Sequence, residues 1–291
     1  MLRLKSRDEA GFQIANIFFL FIILALMVIP LWRVVTTSLT PIGHLSSDPL
    51  GLWLPPSEWS FEAYGQLLNH PAFLRATLNS VVITVAGTAL NLFLTVPLAY
   101  ALSIRTLPGR RFLTGFILFT WLFSAGLVPT YLVVKDLGLI DSLAAVFVPV
   151  AVSVYNTLIM KSFFEGLPED LKEAARIDGA SELQVLFRIV LPLSKPILLT
   201  IGLWYAVSHW NEFFTPILYL NDNNLMPLPV LLRNILLAAN FNEYVEFNAF
   251  SSAPIEAIKA AAVNLTTLPM ALLYPRIQRY FTKGALVGGV K

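Results

Sequence analysis

The sequence contains no cysteine. Disulfides, thiolate metal sites and cysteine nucleophiles are therefore excluded. Histidine is nearly as scarce: His44, His70 and His209 are scattered and make a poor metal cage. Charge is the next deficit. Lys, Arg, Asp and Glu together make up 13% of the 291 residues, about half the roughly 25% of a soluble domain. That little charge cannot cover a water-facing surface, which excludes an ordinary soluble enzyme, a disordered chain and a nucleic-acid binder. The phosphate loop G-x-x-x-x-G-K-[ST] is missing, so the chain does not bind ATP by that route; H-E-x-x-H and G-x-S-x-G are missing too. There is no internal repeat and no low-complexity tract.

What is present is apolar: 56% of the residues are hydrophobic. A membrane-spanning helix needs about 20 mostly apolar residues. Six segments meet that length: Phe12–Val35, Arg75–Ile104, Phe112–Val134, Leu139–Phe163, Lys195–Leu220 and Ile255–Tyr274. The first follows Arg3, Lys5 and Arg7. It is longer than a signal-peptide core, and no A-x-A-like site follows it, so it reads as a retained anchor. Pro97, Pro129 and Pro149 lie inside spans, where proline is tolerated as a kink.

Basic residues set the orientation. With the N-terminus inside, the inner side holds Arg3, Lys5, Arg7, Arg105, Arg110, Arg111, Lys161, Lys172, Arg176, Arg188, Lys195, Arg276, Arg279, Lys283 and Lys291. The outer side and helix ends keep Arg33, Arg75, Lys135, Arg233 and Lys259. This three-to-one bias predicts both termini inside, and an even number of spans agrees. The expected fold is an all-α polytopic membrane protein: a tail over 1–11, a six-helix domain over 12–281 with a long inner loop over 165–192, and a tail over 282–291. Outside, Thr36–Leu74 reads as an ordered cap. Asn221–Pro254 carries an amphipathic stretch, Leu228–Leu237, and then Asn240–Asn248 with three aromatics.

The inner loop has strong local signals. Pro168 followed by Glu169 and Asp170 marks a helix start. Glu169–Ile177 is a good helix former, Gly179 is placed as a left-handed stop, and Ser181 is placed to cap a second helix that runs to Pro192. Two short polar helices meeting at a glycine on the inner face suit docking into another protein.

Within the fifth segment Glu212 is the one acid clearly inside a span. Trp204, Ser208, Asn211, Thr215 and Tyr219 share a helical face, with His209 and Glu212 at its edge. Two readings are open: a substrate path of aromatics and hydrogen-bonding groups, or polar groups that hold helices together. The same choice applies to the stripe Asn79, Thr84, Thr88, Asn91 and Thr95 on the second segment, and to Asn264, Thr266 and Thr267 on the sixth.

Glu173-Ala174-Ala175, three residues, Gly179, nine residues and Ile189-Val190-Leu191-Pro192 resemble the EAA loop of ABC-importer permeases. At average residue usage, the seven of these positions other than Val190 match by chance on the order of once in 10⁵ to 10⁶ chains. Met160-Lys161-Ser162-Phe163-Phe164, Trp210-Asn211-Glu212-Phe213, Gln278–Gly284 and Gly288-Gly289-Val290-Lys291 resemble the maltose-type, oligosaccharide-importing branch, its second permease subunit in particular. Ile258-Lys259-Ala260-Ala261, Leu268-Pro269 and Tyr274-Pro275 resemble the subgroup that serves complex and uronic oligosaccharides such as alginate. The resemblance covers most of the chain from the second span onward.

The resemblance implies the MetI-like permease fold in the inner membrane. It implies a coupling loop that sits in a cleft of an ATPase, built from Glu173, Ala174, Ala175, Asp178, Gly179, Ile189, Leu191 and Pro192. Glu173 is expected to pair with a basic group there, and Gly179 to let two backbones approach. Gly288, Gly289 and Lys291 are expected to reach the ATPase interface. Asn242, Glu243, Tyr244 and Glu246 are expected either to touch a solute-binding protein or to pack on the membrane surface. The implied partners are a second permease, two P-loop ATPases, an extracytoplasmic binding protein, an oligosaccharide and the lipid bilayer; no nucleic acid is among them. The chain itself holds no cofactor, since ATP and Mg belong to the ATPases, and it performs no covalent chemistry. The competing classes are an ion-driven secondary transporter, which needs several buried titratable groups, and an importer of a non-sugar solute.

Overall fold

A computed structural model describes residues 7–41, 53–238 and 254–288. Its α-helical segments, in chain order, are α1 (Arg7–Ser38), α2 (Glu62–Asn69), α3 (Pro71–Ser103), α4 (Arg110–Leu122), α5 (Leu127–Asp136), α6 (Ala144–Phe147), α7 (Val154–Glu165), α8 (Glu169–Ile177), α9 (Glu182–Val185), α10 (Leu191–Leu193), α11 (Lys195–Trp210), α12 (Phe214–Tyr219), α13 (Leu228–Ala238) and α14 (Ile255–Gly288). No strand occurs among the described residues. They group into two compact units, one from Met1–His70 with Leu232–Leu268, the other from Pro71–Leu231 with Pro269–Lys291.

In the first unit, Gly11–Ser38 is a 28-residue apolar run with none of its most apolar stretch buried. A helix this apolar and this uncovered is stable only against lipid or another apolar partner. Its end is fixed by polar contacts: Asn264 Nδ2 donates to Ser38 Oγ (2.9 Å) and Tyr64 OH (3.0 Å), and the two hydroxyls lie 2.7 Å apart. Asn264 thus ties α1, α2 and α14 together.

The second unit is built on α3, whose inward face packs against α7 and α11. The polar stripe on α3 is spent largely on backbone groups and neighbouring helices. Asn79 Nδ2 donates to the carbonyls of Asn224 (2.8 Å) and Met226 (3.1 Å). Asn91 Nδ2 donates to those of Val150 and Ala151, both at 2.9 Å. Thr95 Oγ1 lies 2.8 Å from Tyr205 OH. Among the described residues, the hydroxyls of Thr84 and Thr88 find no hydrogen-bond partner. Ala99, Tyr100, Met160, Phe164, Val185, Leu186, Val190, Ile201 and Tyr205 form the core beneath the inner loop.

Three of the six expected spans are broken into separate helices rather than merely kinked at proline. The third is two helices, α4 and α5, bent by 110°. Gly126 causes the break: it has φ +87° and its N–H is taken by Ser124 Oγ at 3.3 Å. The fourth is reduced to the one-turn α6 and the later α7, because Pro149 follows α6 and Ser153 caps α7 by accepting from Asn156 N–H at 3.3 Å. The fifth breaks at Asn211–Phe213, between α11 and α12. Before it, Glu182–Leu193 includes a π turn (Leu186–Val190) and bends by 85° into α11. Among the described residues, three single helices (Gly11–Ser38, Pro71–Ser103 and Ile255–Leu273) have the length and composition to cross a membrane, or five spans if each bent pair counts as one. Counting apolar residues cannot see these breaks, because one glycine, one proline or one capping serine redirects the backbone without changing hydropathy.

Candidate functional site

The inner loop is the best-defined polar structure in the chain. Pro168 precedes α8, and Glu169 and Asp170 occupy its first turn, where carboxylates complement the exposed N–H groups. Arg176 occupies the last turn. The stop is a Schellman motif: Ala180 N–H donates to Ala175 C=O (2.9 Å) and Gly179 N–H to Arg176 C=O (3.0 Å). Gly179 has φ +83°, and a Cβ built there meets nothing within 4 Å. Within this chain the glycine serves the left-handed turn, not a close approach. Ser181 and Gln184 then form a reciprocal capping box at the start of α9.

The helix is two-faced. Lys172 is buried and Ala175 packs on the core cluster. Asp170, Glu173, Ala174 and Ile177 are exposed, on the i, i+3, i+4, i+7 positions of one stripe. Ile177 is 86% exposed, an apolar residue that nothing among the described residues covers. Of the motif residues, Glu173 and Ala174 therefore face out and Ala175 faces in. Asp178 ends α8 as an exposed C-cap, Ile189 lies in the π turn, and Leu191 and Pro192 form the short α10 before the bend.

Charged groups hold α8 in place. Lys172 Nζ donates to Phe164 C=O (3.2 Å) and pairs with Glu169 (2.9 Å). Arg176 pairs with Glu169 (3.1 Å) and with Glu182 (2.8 Å). Glu182 also accepts from Tyr100 OH on α3 at 2.6 Å. The Glu169 carboxyl is held below the usual carboxylate range by the Lys172 hydrogen bond, against an opposing desolvation, with Arg176 helping. Arg176 is pushed up by Glu182. At the base of the loop, Glu165 binds Arg110 and also pairs with Lys161 at 3.0 Å.

The second candidate region is a polar cavity of about 560 Å³, within the usual range of ligand pockets. It brings together Trp204, Ser208 and His209 with Trp121, Asn156 and Asn91. Trp204 stacks on Tyr155 at 6.0 Å. Asn91 uses its amide nitrogen on two carbonyls, so its oxygen faces His209 Nε2 at 2.6 Å and requires a hydrogen there. The ring is thereby set as the Nε2–H tautomer, leaving Nδ1 as an acceptor. Gly87 makes room for this pair, since a Cβ there falls 2.6 Å from Nε2.

The remaining path candidates lie elsewhere. Asn211 Nδ2 bonds Val207 C=O within its own helix turn. Glu212 accepts from Phe214 N–H (3.0 Å) and Thr215 N–H (3.1 Å), capping α12. Tyr219 is buried and stacks on Tyr131 at 6.0 Å. Gly288 is the last residue of α14, whereas Gly289, Lys291, Asn242, Glu243, Tyr244 and Glu246 lie outside the described residues. Sequence reasoning missed Gly87 and Tyr100. Nothing in the sequence singles out Tyr100 on an apolar helix; Gly87, three turns into a helical run, was the available signal.

The described residues thus combine helices long and apolar enough to cross a membrane with a capped polar hairpin that carries an exposed stripe. The comparisons agree. Residues 65–286 match the family described as binding-protein-dependent transport system inner membrane component, and the chain belongs to it. It is 42% identical, over 94% of its length and 96% of the relative's, to the polygalacturonan/rhamnogalacturonan transport system permease protein YtcP of Bacillus subtilis strain 168. It is 40% identical to protein LplC of the same organism, over 96% and 95%. Among solved structures it is similar to a chain of a bacterial ABC transporter involved in the import of the acidic polysaccharide alginate, with TM-score 0.89, 32% identity and coverage of 96% and 100%. The chain is thus a sugar-type ABC importer permease, a transport subunit.

Proposed function

We propose that this chain is one permease subunit of an ATP-driven, binding-protein-dependent importer of acidic oligosaccharides in the cytoplasmic membrane. The observation that carries the proposal is the inner loop: a doubly capped helix, pinned by ion pairs on one side, that leaves Asp170, Glu173, Ala174 and Ile177 free on the other. That free stripe fits a cleft of a P-loop ATPase. A binding protein delivers substrate outside, and a second permease completes the passage. ATP and Mg bind the two ATPases; their closure moves the Glu169–Leu191 region, and hydrolysis resets it. The proposed topology keeps six crossings and both termini inside, the α6–α7 region serving as a broken crossing. Trp204, Ser208 and His209 form part of the passage wall. The acidic substrate rests on the relatives, two of which serve polygalacturonan/rhamnogalacturonan and alginate.

Co-purification from the native membrane tests this. The tagged chain should bring down a P-loop ATPase and a second permease. Glu173→Ala and Gly179→Asp should each weaken recovery of the ATPase while leaving the second permease. A chain recovered alone, or an ATPase indifferent to both substitutions, sinks the proposal.

A further inference from the structure

We infer that Tyr100, Glu182 and Arg176 are positioning residues that transmit movement of the inner loop to α3, and hence to the cavity. This rests on the coupling role proposed for the loop. Glu182 bonds both sides of the joint: one oxygen takes Arg176 Nε from α8 at 2.8 Å, the other takes Tyr100 OH from α3 at 2.6 Å. Arg176 also holds Glu169 at the opposite end of α8, at 3.1 Å, so the fork spans the helix from first turn to last. Displacing α8 therefore pulls on Glu182 through Arg176, and Glu182 in turn pulls on Tyr100; both links are charge-assisted bonds, which are stronger and more directional than apolar contact.

Tyr100 is suited to receive that pull. It is 5% exposed, and its ring packs edge-on against Phe164, so it cannot swing to follow Glu182 and the load passes to the α3 backbone. α3 continues unbroken from Pro71 to Ser103. Nine residues back along it, about 14 Å at 1.5 Å per residue, Asn91 holds the 150–151 backbone and His209, both at the cavity. Thr95, between them, holds Tyr205 on α11. One helix thus carries the loop contact at one end and the cavity contacts further along.

The absence of cysteine allows a clean reporter. Ser124, which lines the cavity, is replaced by Cys in the intact importer in liposomes. The rate of its modification by an impermeant maleimide is read on this chain by mass spectrometry, with and without ATP and vanadate. With Tyr100, Glu182 and Arg176 intact, trapping should change the rate by about fivefold, at the low end of site-to-site couplings. Tyr100→Phe keeps the ring and its packing; Glu182→Gln keeps the shape. Each should retain the co-purified ATPase at full yield and its basal hydrolysis, yet lose the nucleotide-dependent change. The double variant should lose no more than either single one, since the pair acts as a unit. A full change in both single variants overturns the inference. So does loss of the ATPase from Tyr100→Phe, which would make these residues mere supports of the docking shape. An unaltered chain that carries no ATPase defeats the coupling role itself, before either variant is read.

Discussion

Glu212 illustrates how a residue-scale reading changes once geometry is known. An acid inside an apolar run is costly and invites a functional role, but here one carboxylate oxygen caps two N–H groups of α12. The cap needs an acceptor, not a charge. Glu212→Gln should therefore leave uptake within about twofold of the unaltered chain, whereas Glu212→Ala should cost about 0.5–2 kcal/mol, the usual range for a lost cap, read as a lower unfolding midpoint of the purified complex. A large uptake defect in the Gln variant with normal folding would return Glu212 to the substrate path. Gly87 makes the opposite case. Ala at 87 drives its methyl into a His209 ring that Asn91 holds fast. Gly87→Ala should destabilise by about 1–3 kcal/mol, as overpacking does; an unchanged midpoint would mean that the ring moves freely.

At the scale of the element, α8 and its stop were almost wholly legible. Pro168, the two acids, Gly179 and Ser181 are local signals with local causes, and each sits where backbone hydrogen bonding demands it. The ion pairs were not legible, because Arg176–Glu182 and Glu182–Tyr100 depend on where the chain returns. Two predictions belong here. Gly179→Ala forces a Cβ into the left-handed region and should cost roughly 1–2 kcal/mol, seen as faster amide exchange over Glu169–Ile177; unchanged exchange would contradict the Schellman stop. The second concerns acid. The Glu169 carboxyl is depressed in the folded state, so its pairs contribute fully above the ordinary glutamate range and are lost as pH falls through the folded value. Neutral pH leaves them intact. Glu169 is more than half exposed, so the effect stays below about 1 kcal/mol. Acidification below pH 4.5, the ordinary value, should loosen α8 by amide exchange, and Glu169→Gln should be loosened already at neutral pH and respond less to acid.

For the whole molecule, composition alone gave the class: too little charge for water and enough apolar length for several crossings. It did not give the number of unbroken helices. The third, fourth and fifth segments are interrupted at Gly126, at Pro149 with Ser153, and at Asn211–Phe213, and two of those interruptions border the cavity. Of the fifth-segment residues weighed for a passage, the ones that share the cavity are Trp204, Ser208 and His209, joined by Asn91 of the second segment. Asn211 and Tyr219 follow the same helical periodicity on paper, but α11 stops at Trp210 and the periodicity no longer applies. A continuous-helix assumption therefore predicted the first half of the face and failed past the break. Family membership makes the chain a transport-system membrane component, and the exposed stripe of α8 is where the proposed function seats its ATPase.

The most direct test is uptake of labelled oligogalacturonate by liposomes containing the purified importer, with its binding protein outside. ATP sealed inside should drive uptake, an ionophore that collapses proton and sodium gradients should leave it unchanged, and Glu173→Ala should abolish most of it. Uptake that follows an imposed ion gradient without ATP would contradict the importer mechanism and make the chain a secondary transporter.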